Sequence, residues 1–153
     1  MKNKDDHISY ETGTANQELE KFISAQERDY LTALTEISKG KKRSHWMWYI
    51  FPQIRGLGLS ETAKYYAIKD LRQANAYLHH PLLGPRLMEI SERLLCHKNR
   101  TAHEIFGSPD DLKLRSSMSL FSCVAKAPAV FQQVLDAFFS GEKDNRTLRI
   151  LGL

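Results

Sequence analysis

The run Arg43-Ser44-His45-Trp46-Met47-Trp48-Tyr49-Ile50-Phe51-Pro52-Gln53 gathers groups that could do chemistry into one short segment. It holds both tryptophans of the chain and follows the cations Lys39, Lys41 and Lys42. Lys42 or Arg43, together with free backbone N–H groups at a helix start capped by Ser44, would hold a phosphate. Trp46 and Trp48 offer flat faces for a base or sugar, and base stacking contributes about 1–3 kcal/mol per base. Gln53 presents a donor and an acceptor to one ligand edge. His45 is the candidate for proton transfer, since an imidazole changes charge near neutral pH. A second reading stands beside this one. Trp46, Trp48, Ile50 and Phe51 could equally be core, with the basic run as a solvated connection.

A second group of interest is Ser116-Ser117-Met118-Ser119, which follows Lys113 and Arg115 inside a helical pattern. Serine is a poor helix-interior residue, so the cluster calls for a reason. Either the small side chains permit close helix packing, or Ser116 and Ser117 line a polar pocket with Lys113. No Gly-x-Ser-x-Gly elbow is present, so a serine-hydrolase reading has no support. Gly56-Leu57-Gly58 lacks the preceding strand and third glycine of a dinucleotide loop. His79 and His80 are adjacent, and His97 and His103 straddle a loop, so neither pair has zinc-ligand spacing. Neither a metal nor a cofactor is expected.

The elements that must position these residues read as helices. Leu19, Phe22, Ile23, Tyr30, Leu34 and Ile37 share one face of a helix over residues 16–38, capped by Asn16 and stopped by Gly40. Ser44 opens a short helix limited by Pro52, or else the segment is buried and extended. Ser60 caps a helix from Glu61, and Asp70 with Gln73 marks the next, through about Leu78. Leu83, Leu87, Ile90 and Leu94 define an amphipathic helix that tolerates Pro85 in its first turn. Thr101 with Glu104 forms a capping box for a helix ended by Gly107. Ser108-Pro109-Asp110-Asp111 starts a helix reaching about Lys126. Pro128 opens another, closed by Gly141, and a last one covers residues 145–151. No strand-length alternation and no Asn-Gly or Asp-Gly hairpin turn interrupts the series. The fold class is therefore all-α, a single compact irregular array of about six to eight helices. It comprises a flexible leader over residues 1–15 and one domain over residues 16–153.

The chain is 153 residues long, 42% hydrophobic and 26% charged, with a net charge of +4. That suits one soluble domain with a real core. Acids and bases are mixed along the chain, and no helix carries a row of Arg or Asn, so specific nucleic-acid binding is disfavoured. No apolar run approaches the ~20 residues of a membrane span, and residues 1–14 lack the apolar stretch of a secretory signal. The two cysteines, Cys96 and Cys123, suggest no disulfide framework, which points to the cytoplasm. Cys123 lies in an apolar helical pattern and reads as a buried thiol.

The signature run, with Gly56-Leu57-Gly58 and Ser60, resembles the hallmark of the domain-of-unknown-function 1810 family. Further matches are Tyr66-Ala67-Ile68, His80-Pro81 with Leu83-Gly84, Ile105-Phe106-Gly107, Asp111 with Lys113-Leu114, and Ser116-Ser117-Met118 with Leu120-Phe121. Tyr49 and Ser119 stand where the motif usually has Phe and Thr. The resemblance implies a small, mostly α-helical, bacterial-type domain and no established activity. Its members have sometimes been labelled calpastatin-like, a label at odds with this chain, which has nothing of a repetitive, disordered protease inhibitor. The functional expectation is a pocket for a small anionic ligand, nucleotide-like or ADP-ribose-like. Its residues would be Lys42, Arg43, Ser44, Trp46, Trp48, Gln53, Lys113, Ser116 and Ser117, with His45 as the proton-transfer group if the pocket hydrolyses or cleaves a glycosidic bond. The alternative is a non-catalytic protein-interaction module with the aromatic segment as core and an unspecified partner.

Overall fold

The computed structural model describes residues 17–153 in full and, for residues 2–16, the helical backbone alone. The expected leader, residues 1–15, lies outside the fully described part. The helices are α1 (Lys2–Ser38), α2 (Met47–Ile50), α3 (Glu61–Tyr65), α4 (Leu71–His79), α5 (Leu83–Leu95), α6 (Ala102–Phe106), α7 (Asp110–Ser122), α8 (Val130–Phe139) and α9 (Asn145–Leu151). Among the described residues the β pairing is one isolated parallel bridge, Ile54 to Ile68. It ties the end of the signature segment to the turn before α4 through Ile68 N–H to the Gln53 carbonyl and Arg55 N–H to the Ile68 carbonyl, each 2.8 Å.

Local capping sets most helix starts. Ser60 Oγ accepts from Ala63 N–H at 3.1 Å, and Asp70 Oδ1 accepts from Gln73 N–H at 2.8 Å. Thr101 and Glu104 form the reciprocal box at 3.0 and 2.9 Å. These contacts satisfy backbone donors that the first turn leaves without partners. α7 begins at Asp110, slightly beyond the start expected from a Ser108 cap, and the Ser108 hydroxyl donates to Asp111 Oδ1. It ends at Ser122 rather than near Lys126, whose φ of +58° is not helical. Cys123, at that end, is half-buried and unpaired.

α7 is the central helix. It packs against α4, α6, α8 and α9, and Leu114 and residues 116–121 are all buried. A helix covered on nearly every side needs small side chains where neighbours come close, and the serines supply them. Two of their hydroxyls bond back along the helix: Ser116 Oγ donates to the Leu112 carbonyl (3.2 Å) and Ser119 Oγ to the Arg115 carbonyl (2.7 Å). Around α7 the core joins Phe22, Tyr77, Phe121 and Phe131 in a run of ring contacts between 5.3 and 5.9 Å. Gln26, buried on α1, donates from Nε2 to the Tyr49 carbonyl and to Tyr77 Oη, both at 2.9 Å. One amide thus links α1, α2 and α4.

The turn between α4 and α5 gives the His80-Pro81-Leu82-Leu83-Gly84 motif a structural reason. His80 Nδ1 accepts from the N–H groups of Leu82 (3.1 Å) and Leu83 (3.3 Å) at the start of α5. The ring therefore does the work of a capping oxygen. His80→Ala is expected to cost about 1 kcal/mol, the usual effect of losing an N-cap acceptor, with His80→Asn recovering most of it. Urea unfolding of the two variants checks this, and equal midpoints for His80→Ala and wild type would remove the capping role.

Candidate functional site

The signature segment is folded around a residue outside it. Glu36, near the end of α1, accepts from Arg43 N–H (2.8 Å), Ser44 N–H (2.9 Å), Ser44 Oγ–H (2.5 Å) and Trp46 Nε1–H (2.9 Å). Burial pushes the carboxyl upward, but these donors favour its ionised form and outweigh burial, holding it at about 2. Ser44 consequently does not cap α2, which begins at Met47 with no side-chain cap. Its hydroxyl and amide are both turned back onto Glu36.

Trp46 does not offer a face to a ligand: it is 1% exposed, packed on Phe51 and Phe106. Its one polar atom is satisfied by Glu36, so the ring can be core without an orphaned donor. Lys42 likewise turns inward. Its side chain is 7% exposed, and Nζ lies 2.9 Å from Asp110 Oδ2, 4.8 Å over the Trp46 ring, and donates to the Ser44 carbonyl. It fastens the signature turn to the start of α7 rather than reaching for phosphate. Ser117 is fully buried, and its Oγ has no hydrogen-bond partner among the described residues. Arg43 and His45 are exposed. Arg43 borders a separate shallow groove on α1 with Thr32, Thr35 and Lys39, of about 430 Å³. His45 lines neither that groove nor the cleft described next.

Three expected residues do come together. Gln53, Lys113 and Ser116 line a cleft of about 310 Å³ between the signature loop, α7 and the start of α9. Its wall also includes Leu57, Gly58, Leu112, Arg115, Asp144 and Arg146. Trp48 is half-buried beside it, with Lys113 Nζ 5.1 Å over its ring. Lys113 in turn is 3.4 Å from Asp110 Oδ1, so Asp110 serves both lysines. Arg115 is held by the loop ahead of α9: Nε donates to the Glu142 carbonyl (2.9 Å) and Nη2 to the Lys143 carbonyl (3.2 Å). Ser119 Oγ accepts from Asp144 N–H at 2.8 Å, anchoring that loop on α7. Asp144 Oδ2 accepts from Thr147 N–H (2.9 Å) and Thr147 Oγ1 (2.6 Å), capping α9. Gly58 is in the wall for packing reasons, since a Cβ there would lie 2.4 Å from Ala63 Cβ.

Glu36, Asp110, Arg115, Asp144 and Arg146 did not stand out as site residues in the sequence. Each is an ordinary charged residue on a helix or turn, and no local spacing links it to the signature. Asp144 carried one usable signal, an acid just ahead of the expected last helix with Thr147 three residues on. Among the described residues no group of three or more His, Cys, Asp or Glu side chains is placed to hold a metal ion. No described helix is long and apolar enough to cross a membrane.

The family model described as protein of unknown function (DUF1810) matches residues 16–151. The chain belongs to this family. A crystal structure of the conserved hypothetical protein Rv1873 from Mycobacterium tuberculosis is 45% identical, covers 88% of this chain and 96% of its own, and superposes with a TM-score of 0.86. The two share one fold. No curated protein matches the chain.

Proposed function

We propose that this is a binding domain whose cleft between the signature loop, α7 and α9 takes a small anionic ligand. The observation that carries the reading is the meeting of Lys113 and Arg115 from α7, Arg146 from α9 and Gln53 from the signature loop around one cleft. Side chains from distant parts of the chain that converge on a concavity are the usual mark of a site. Arg115 is fixed by two backbone carbonyls and lies 3.6 Å from Glu142 Oε2, so it adds positive charge to the cleft wall from a set position. Free thiols at Cys96 and Cys123 are in keeping with a reducing compartment such as the cytoplasm.

Binding is favoured over hydrolysis or glycosidic cleavage. Glycosidases commonly place two carboxyl groups about 5–10 Å apart across the bond they break. Among the described residues, Asp144 is the carboxylate in the cleft wall, and one of its oxygens caps α9. His45, the proton-transfer candidate, does not line the cleft. A protein-facing surface is the second reading, favoured by Leu112, 59% exposed on the cleft rim.

Thermal unfolding with added inorganic phosphate tests the first reading. A ligand at 100 times its dissociation constant stabilises by about 2.7 kcal/mol, which for a domain of this size is a rise of roughly 5–10 °C. The rise is expected in wild type and lost in a Lys113→Ala, Arg146→Ala double variant. Equal response of the two proteins, or none in either, would leave the protein-facing surface as the better reading.

A further inference from the structure

We infer that the cleft selects a monophosphorylated polyol, of which a sugar monophosphate is the simplest case, and rejects nucleoside diphosphates and other pyrophosphates. This rests on the anion-binding reading above and narrows it. The deciding residue is Asp144. Its Oδ2 is committed to Thr147 N–H and Oγ1, while Oδ1 has no hydrogen-bond partner among the described residues. A carboxylate in the wall of a cationic cleft repels a second phosphate, yet it is the strongest acceptor available for hydroxyl groups. The charges are thus arranged for one anionic group at Lys113 and Arg146, with hydroxyl-bearing carbons turned toward Asp144 and Gln53.

The cations fit that division, since Arg115 is already engaged by the Glu142 and Lys143 carbonyls and by the Glu142 carboxylate. Arg146 is exposed and makes no ion pair among the described residues. Lys113 has a loose partner, Asp110 Oδ1 at 3.4 Å, which an incoming phosphate can replace. Gln53, half-buried at the cleft wall, has no side-chain hydrogen bond among the described residues and can both donate to and accept from a hydroxyl.

A nucleobase finds less to bind. Among the described residues no aromatic ring lines the cleft, whose apolar wall is Leu57, Leu112 and Pro109. Trp46 is buried with Lys42 over its ring, and the Trp48 ring is faced by the Lys113 ammonium at 5.1 Å. Stacking a base on the covered face of Trp48 would first require that ammonium to leave. Aliphatic walls suit the C–H faces of a sugar, and a volume of about 310 Å³ lies at the small end of ligand pockets.

Calorimetric titration of the full chain with inorganic phosphate, ribose 5-phosphate, ribose, AMP and ADP-ribose separates the possibilities. Ribose 5-phosphate is expected to bind at least about tenfold tighter than inorganic phosphate, the effect of one or two added charge-assisted hydrogen bonds, and tighter than ADP-ribose, whose second phosphate meets the Asp144 carboxylate. Asp144→Asn keeps an α9 cap, and it should erase most of the preference over ADP-ribose while leaving inorganic phosphate bound as well or better. If phosphate binds but ribose 5-phosphate binds no tighter, or ADP-ribose or AMP binds tightest, the selectivity is wrong and the anion site stands. If no phosphorylated probe binds, both readings fall together.

Discussion

Gly84→Ala is expected to destabilise the protein by about 3 kcal/mol or more, against the ordinary trend for a helical glycine. In the interior of a helix, alanine is normally better than glycine by about 0.5–1 kcal/mol. Gly84 lies in the first turn of α5, where the chain passes against the end of α4. A Cβ at this position would sit 2.0 Å from the Leu78 carbonyl oxygen and 2.8 Å from its carbon. The obstacle is backbone, so no rotamer change relieves it, and α4 and α5 must move apart. Leu83, Leu87, Ile90 and Leu94 on α5 are all buried against the core, so the shift would open their packing as well. For a domain of this size the loss corresponds to a fall in melting temperature of roughly 6–12 °C. Differential scanning calorimetry measures it directly. A variant as stable as wild type would mean that α4 and α5 do not approach this closely.

The second large effect concerns Glu36. Glu36→Gln removes the charge behind four hydrogen bonds and is expected to cost about 2–3 kcal/mol at neutral pH, since bonds to charged groups are worth more than neutral ones. Glu36→Ala should be worse, because it strands the Trp46 indole N–H in the core. The pH dependence has a definite sign. Glu36 is held at about 2 in the fold, below its ordinary value of 4.5. Its stabilising contribution is therefore complete above about 4.5 and is lost as pH falls toward 2. The gap in stability between wild type and Glu36→Gln should narrow steadily over that acid range. Chemical denaturation of both proteins at several pH values, followed by tryptophan fluorescence, reads this out. A gap that stays constant from neutral pH into the acid range would contradict the carboxylate's role.

These two residues show unequal legibility. Gly84 was visible as part of a family motif, but its reason was not, because the clash is with a carbonyl in another helix. Glu36 was not visible as a site residue at all. Its spacing from Ser44 and Trp46 matters only after Gly40 ends α1 and the chain turns back along it. The tryptophans illustrate the same limit. A Trp beside cations is compatible with stacking a ligand and with filling a core. Trp46 went to the core because a carboxylate on α1 meets its indole nitrogen. Lys42, expected to hold phosphate, was drawn inward by Asp110 at the start of α7. Gln53, Lys113 and Ser116 meet at the cleft, but the serine's hydroxyl is spent on its own helix.

What the sequence determined by itself was the helical class, the approximate helix spans and several of their caps. Ser60, Asp70, and Thr101 with Glu104 act on backbone groups three residues away, and such interactions are written in local spacing. Family membership was legible for a related reason, since the signature is long and contiguous. The direction each signature side chain faces, the clamp at Glu36, and the gathering of Arg115, Asp144 and Arg146 around Gln53 were decided by tertiary structure alone. Those outcomes depend on charges and apolar faces from remote segments competing for the same few partners, and a burial or pairing preference acts only once the packed chain has brought the competitors together.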